Sequence, residues 1–264
     1  QAMGDAKAQQ EKLSAILNEA EERSRLMMAE MEDQLVECDY PAVSRRVIAD
    51  AVKLGTGVMK GPITGTRIRK GWKKPDFAND NQGSGYGGYE MQISEGDQPS
   101  FVWVDLFSFF PDPDATEIKN GQGTYERHLF NKKQLRCLKD LQGFDKRALR
   151  RLVERDPSGQ QPSYLADLRN IRQANNQIVG AVYHVWEYWG PLEHEDVMDL
   201  AAAVNSRAAY DAVKDIDPLN EVNAVVWFCD NEVLKFALYP YESGECIYSV
   251  YNFMKDESSI FGYG

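Results

Sequence analysis

The stretch Val222-Asn-Ala-Val-Val-Trp-Phe-Cys-Asp-Asn-Glu-Val-Leu-Lys-Phe-Ala-Leu-Tyr239 decides the class of fold that this sequence adopts. Two runs rich in β-branched and aromatic residues, 222–229 and 232–239, flank the pair Asp230-Asn231. Two such runs separated by two turn-forming residues predict an antiparallel β-hairpin. The sequence therefore contains at least one sheet whose strands are joined by tight turns.

Outward from this hairpin, strands and helices alternate without a regular repeat. Alternating apolar residues predict strands at 178–189 and 246–253, a strand pair with glycine bends within 55–74, and strands at 89–94 and 100–107. Three- and four-residue spacing predicts helices at 5–37, from Asp39 to Gly55, and at 132–141, 146–155, 163–175, 194–203 and 206–214. Helices mixed with antiparallel hairpins, without repeated βαβ spacing, predict an α+β fold.

The first predicted helix carries a narrow apolar stripe, formed by Leu13, Ile16, Leu17, Ala20, Met27, Met28, Met31 and Leu35. A stripe this narrow predicts a helix that lies across another surface, either in this chain or in a neighbouring subunit. We therefore expect two parts: an extended amphipathic helix at 1–38 and an α+β domain at 39–264. The Gly- and Asn-rich segment 78–88 is expected to be a mobile loop.

The net charge of −11 is distributed unevenly along the 264 residues, in blocks of alternating sign. It is −6 over 1–40, +8 over 41–75, −9 over 76–126, +7 over 127–155 and −11 over 156–264. One interpretation is that individual helical faces happen to carry charges of one sign, with no functional role. The other is that acidic and basic patches of one subunit are complementary and guide self-association. The acidic total argues against general affinity for free nucleic acid. The apolar runs are too short to cross a bilayer, so no membrane is expected. The four scattered cysteines are expected to be reduced and buried.

Motifs for nucleotide binding and nucleophilic catalysis are missing from the sequence. Gly55-Thr-Gly57 follows a predicted helix and precedes a strand, which is the reverse of a phosphate-binding loop. Neither Gly61 nor Gly65 is followed by Lys-Ser or Lys-Thr. There is no GxSxG elbow, and no cysteine has an obvious histidine partner. We expect no catalytic residue and no cofactor-binding residue.

Three histidines, His128, His184 and His194, are candidates for metal binding. Glu193-His194-Glu195-Asp196 lacks a second histidine four residues away, and its acidic residues suit the first turn of a helix. His184 lies in a predicted strand and is expected to be an ordinary sheet residue. The sequence therefore predicts no metal site.

Five segments point to a known family: 55–62, Phe109-Phe-Pro-Asp-Pro-Asp-Ala115, Tyr125-Glu-Arg-His-Leu-Phe130, Val185-Trp-Glu-Tyr-Trp-Gly190 and 252–264. In their order and spacing over some 210 residues, they resemble the portal (head–tail connector) proteins of short-tailed bacteriophages. The resemblance implies a non-catalytic subunit of a dodecameric ring at one capsid vertex. Such a ring passes double-stranded DNA during packaging and ejection, and it contacts terminase, capsid and tail proteins.

The resemblance also implies a location in the virion, and in the host cytoplasm during assembly. Portal proteins continue past the Gly-Tyr-Gly at 262–264 into a stem helix, a clip and more of the tunnel wall, so we expect this chain to be the wing-like part, truncated at its C-terminal end. None of the five segments identifies an individual residue that contacts DNA or terminase.

Two other functions fit the same residues. A non-catalytic binding module is the first alternative: the basic segment Arg67–Lys74, with Trp72, suits single-stranded nucleic acid, and Trp186, Tyr188 and Trp189 suit stacking on a glycan. A hydrolase is the second, if two of the many carboxylates converge in the folded chain.

Overall fold

A computed structural model describes residues 2–73, 90–157, 159–160, 162–163, 181–239 and 245–264. The predicted loop at 78–88 lies outside these ranges, as does the predicted helix at 163–175 apart from its first residue. Helices and antiparallel strands are mixed, so the predicted α+β class is confirmed. No helix in the described ranges is both long and apolar enough to span a bilayer.

The predicted helices in the described ranges are confirmed, with small shifts at their ends. They are α1 (Ala2–Glu37), α2 (Tyr40–Leu54), α3 (Lys132–Cys137), α4 (Lys146–Glu154), α5 (His194–Ala203) and α6 (Arg207–Val213). Side chains cap several of them: the carboxylate of Asp145 accepts a hydrogen bond from the amide of Arg147 at the start of α4. Asn131 and Gln134 form a capping box at α3.

Eight strands lie in the described ranges, and the sequence predicted only some of them. They are β1 (Thr56–Lys73), β2 (Glu90–Val104), β3 (Phe109–Pro111), β4 (Thr124–Phe130), β5 (Tyr183–Leu192), β6 (Val222–Cys229), β7 (Glu232–Leu238) and β8 (Tyr248–Asn252). The hairpin of β6 and β7 is confirmed, with Asp230 in the left-handed region of its turn. β3 and β4 were not predicted.

The strand pair predicted within 55–74 is wrong, because β1 runs through its glycines as one strand. A Cβ atom on Gly61 would lie 2.8 Å from the carbonyl oxygen of Ser100. This glycine therefore permits close approach of a neighbouring strand rather than a bend. The two strands predicted at 89–94 and 100–107 are likewise one strand, β2, whose polar residues at 95–97 are exposed.

Contacts divide the chain into two compact units: Gln1–Ile48 with Met59–Trp103, and Ala49–Val58 with Val104–Gly264. This division differs from the predicted parts, 1–38 and 39–264. The first unit contains α1 together with the ribbon of β1 and β2, and Tyr40 packs edge-on against Phe101 within it. The second unit contains the five-stranded sheet.

The sheet of the second unit has the order β3-β4-β5-β6-β7, and all its neighbouring strands are antiparallel. One face packs against α3 and α4 through a cluster that includes Leu135, Leu149 and Val185. The other face packs against α5 and α6 through a cluster that includes Tyr188 and Val197. Successive residues of a strand face opposite sides, so β5 contributes to both cores.

A second set of contacts in this unit joins the end of α2 to the last residues of the sequence. Gly55 has a φ of 89°, and a Cβ atom there would lie 2.3 Å from the carbonyl oxygen of Gly262. The amide of Phe253 donates to the carbonyl of Gly55 (2.9 Å), and the amide of Gly262 donates to Oγ1 of Thr56 (2.7 Å). The Thr56 hydroxyl in turn donates to Asn252 (2.9 Å). Only glycine fits at position 55.

Substitution of Leu234 tests whether the cluster beneath α3 and α4 is a hydrophobic core. Its side chain is fully buried in that cluster, so Leu234→Ala should lower the free energy of unfolding by about 2–5 kcal/mol. Leu219, which is 91% exposed, provides the control, and Leu219→Ala should change it by less than about 0.5 kcal/mol. Urea denaturation measures both, and equal effects would contradict this assignment of the core.

An ion pair between α4 and β7 makes stability depend on acid pH. The Arg151 guanidinium, which donates to Glu232 (Nη2–Oε2 2.6 Å), lowers the pKa of that carboxyl, with a further contribution from Arg155. A lowered pKa in the folded state gives stability that is present above the ordinary pKa of about 4.5 and lost as pH falls through the folded value.

Glu232→Gln should therefore be less stable than wild type at pH 7, and the difference should shrink as pH falls below about 4.5. The exposed Glu257 provides a control for the loss of one surface carboxylate, since Glu257→Gln should change the free energy of unfolding at pH 7 by less than about 0.5 kcal/mol. Denaturation midpoints across pH 3 to 7 test this. A constant difference at all pH values would count against the ion pair.

Candidate functional site

Two buried carboxylates lie side by side on adjacent strands, on one face of the sheet of the second unit. The register of β4 and β5 pairs Glu126 directly with Glu187, and these residues are 7% and 2% exposed. His128 lies two residues beyond Glu126, so it is on the same face of β4. The three side chains form a cluster, called here the acidic–histidine cluster, that borders the core beneath α3 and α4.

His128 bridges the two carboxylates. Its Nε2 atom lies 2.8 Å from Oε2 of Glu187 and 3.8 Å from Oε1 of Glu126. The imidazole stacks on the Trp227 ring, with centroids 4.7 Å apart and an interplanar angle of 3°, and it also stacks near Phe130. These rings fix the orientation of the imidazole. The side chain of His128 is 21% exposed.

The remaining carboxylate oxygens are held by buried donors. The Tyr248 hydroxyl donates to Oε2 of Glu126 (2.9 Å), and the Trp189 indole N–H donates to Oε1 of Glu187 (2.6 Å). Burial, together with the two nearby carboxylates, raises the pKa of Tyr248 well above its ordinary value, so its hydroxyl remains a donor. Each carboxylate thus has one oxygen bound to a fixed donor and the other directed towards His128.

Glu126, His128 and Glu187 are the described residues that could hold a metal ion, since one ligand atom from each lies within 4.8 Å of the others. Carboxylate oxygen and imidazole nitrogen are both ligands of divalent cations. Sequence reasoning missed this set because Glu187 lies 59 residues from His128, and only the pairing of β4 with β5 brings them together. The local pattern Glu126-x-His128 was the only signal.

A cavity of about 440 Å³ lies beside the cluster but does not contain it. Trp189, Gly123, Tyr239 and Cys246 are among the residues that line it, and none of the three cluster residues does. Trp189 therefore contacts both the cavity and Glu187. Two glutamates, Glu221 and Glu245, line the cavity together with Trp189, so its lining includes carboxylates that are separate from the cluster.

The other two histidines each contact a backbone carbonyl. Nε2 of His194 lies 3.1 Å from the carbonyl oxygen of Val213, which links the start of α5 to the end of α6. Nε2 of His184 lies 2.8 Å from the carbonyl oxygen of Gln160. Both contacts fit the structural roles expected from the sequence.

The aromatic residues considered for stacking do not form one platform. Trp186 and Tyr188 lie on one face of β5 and Trp189 lies on the other, because successive residues alternate. Trp72 on β1 is 69% exposed, while the side chains of residues 66–69 lie outside the described part of the chain.

All four cysteines are free, but the prediction that they are buried is wrong except at Cys229, since Cys137 is exposed and Cys38 and Cys246 are half-buried. Burial raises the pKa of the Cys229 thiol to about 12. That buried thiol is therefore a poor nucleophile at neutral pH.

No protein-family model matches the sequence, and no curated protein matches it.

Tyr248→Phe tests whether the cluster stabilises the second unit. The substitution removes the donor to buried Glu126 without opening a large cavity, so it should cost about 1–3 kcal/mol of unfolding free energy. Tyr251 lies on the same strand and is 56% exposed, so Tyr251→Phe should have little effect. Chemical denaturation of both variants distinguishes them. If both substitutions cost the same, the hydrogen bond contributes no specific stability.

Proposed function

We propose that this chain is a non-catalytic structural subunit that assembles with copies of itself into a ring, as the subunits of bacteriophage portals do. In this proposal the complete ring, in the virion, is the channel through which double-stranded DNA is packaged and ejected. Terminase, capsid and tail proteins are its partners. The observation that carries the proposal is the exposed apolar stripe of α1.

Helix α1 has 36 residues, a length of about 54 Å, and its apolar stripe is open to solvent in the described part of the chain. Ile16 is 63% exposed, Met27 61%, Met28 59% and Met31 54%. Helices in proteins are stabilised mainly by burying such a face. A contiguous exposed apolar surface is typical of a site for protein–protein contact.

Charge favours a second copy of this chain as the occupant of that surface. The segment that contains α1, 1–40, has a net charge of −6, whereas 41–75 has +8 and 127–155 has +7. An acidic helix of one subunit can therefore meet a basic surface of the next. A contact between two different surfaces of identical subunits is heterologous, and when its rotation closes it generates a ring.

The positions of the five resembling segments give further support. Segments 109–115, 125–130 and 185–190 contribute to β3, β4 and β5, which are neighbours in the sheet. Segments 55–62 and 252–264 contact each other through the hydrogen bonds at Gly55 and Thr56. Segments that keep their order and spacing because of a common fold are expected to meet in this way. Residues 55–58 of the first segment and all of the other four segments lie in the second unit.

The apolar stripe provides a test of self-association. Met27→Gln/Met31→Gln keeps helix propensity and net charge but removes two apolar side chains from the stripe. Leu26→Gln/Val36→Gln is the matched control, because Leu26 and Val36 are 60% and 70% exposed but lie outside the stripe. The wild type should associate in sedimentation velocity as concentration rises. The stripe variant should need at least about tenfold more protein, which corresponds to about 1.4 kcal/mol.

A wild type that stays monomeric at all concentrations would contradict the proposal, as would equal weakening by the control variant. Electron microscopy of the assembled wild type then tests the architecture. Closed rings with a central opening are expected, whereas closed dimers or open filaments would show that this is not a ring subunit.

A further inference from the structure

We infer that Glu126, His128 and Glu187 bind one divalent metal ion, and that zinc is the ion whose preferences these ligands match. The ion would connect β4 to β5 in the second unit. This inference goes beyond the proposed ring assembly and does not depend on it, because every ligand comes from one chain.

The inward-facing atoms have the spacing of ligands around one ion. Nε2 of His128 is 2.8 Å from Oε2 of Glu187 and 3.8 Å from Oε1 of Glu126. Zn–N and Zn–O bonds of about 2.1 Å allow two ligand atoms of one ion to lie up to about 4.2 Å apart. Both separations are below this limit, and the set as a whole lies within 4.8 Å, so only a small adjustment of side chains closes the site.

The outer atoms of the same carboxylates have the contacts that support metal ligands in proteins. Tyr248 donates to the outer oxygen of Glu126, and Trp189 donates to the outer oxygen of Glu187. Such hydrogen bonds orient a carboxylate so that its other oxygen faces the ion. Stacking on Trp227 fixes the imidazole in the same way. The imidazole and the inner carboxylate oxygens are therefore held in fixed orientations that face one another.

Glu126 and Glu187 are paired directly across β4 and β5 and both are buried, so an ion bound between them would lie close to two carboxylate groups. Two carboxylates and one imidazole together form a ligand set that binds divalent cations.

The ligand types select zinc rather than magnesium or calcium. One imidazole and two carboxylates are a mixed nitrogen and oxygen set, whereas magnesium and calcium prefer oxygen alone. Three protein ligands leave a fourth position of a tetrahedral ion for a small molecule. The partial exposure of His128, 21%, provides a route from solvent to that position. Through Tyr248 the ion would also strengthen the attachment of β8.

Zinc titration of the EDTA-dialysed chain tests the inference. We expect one zinc ion per chain by elemental analysis and calorimetry, and a rise in melting temperature with zinc but not with magnesium. His128→Gln and Glu187→Gln should each weaken zinc binding at least about a hundredfold, since loss of a supporting hydrogen bond alone typically costs about 10- to 100-fold. Trp189→Phe, which removes only a supporting hydrogen bond, should weaken zinc binding by about 10- to 100-fold. His184→Gln, outside the cluster, should bind zinc as the wild type does.

X-ray absorption of the zinc-loaded wild type gives a result that does not depend on any variant folding. One imidazole in a shell of nitrogen and oxygen, without sulfur, is expected. Sulfur ligands would place the zinc at cysteines and overturn the inference. So would a stoichiometry far below one, or equal loss of binding in the His128 and His184 variants; the three side chains would then be a hydrogen-bonded group only.

Discussion

The register between β4 and β5 is the constraint on which the second unit depends. It sets which side chains reach each face of the sheet: Tyr183 and Val185 enter the core beneath α3 and α4, and Tyr188 enters the core beneath α5 and α6. The same register pairs Glu126 with Glu187. Because the side-chain period of a strand is two, a slip by one residue would exchange the faces and place the apolar side chains of β5 against the wrong helices.

Sequence patterns predicted the strands whose buried faces are apolar and missed the strand whose buried face is polar. β6 and β7 show clear apolar runs, as does β5, where Val185 alternates with polar His184. In β4 the buried face carries Glu126 and His128 instead, so the strand pattern is lost at the positions that form the candidate site. The partners in that site come from β5 and β8, which no local pattern can bring together.

The structural role predicted for glycine was wrong at Gly61 and correct at Gly55. At Gly61 the missing side chain allows a neighbouring strand to approach, which depends on a residue about forty positions away and leaves no local signal. At Gly55 the end of α2 was predicted correctly, because a left-handed residue after a helix is a local requirement. The contact of Gly55 with Gly262 was not foreseeable for the same reason as at Gly61: it depends on the fold of the whole unit.

Two features of the described residues that depart from the usual placement of polar and apolar groups underlie the two proposals, and each proposal supplies a different compensation. Within the second unit, two carboxylates are buried, and the proposed ion would lie between them. Within the first unit, the apolar stripe of α1 is exposed, and water is removed from it most simply by a neighbouring subunit. The first compensation is intramolecular and does not vary with protein concentration, whereas the second follows mass action. The proposed metal binding and the proposed assembly are therefore separable, even though each would stabilise the molecule.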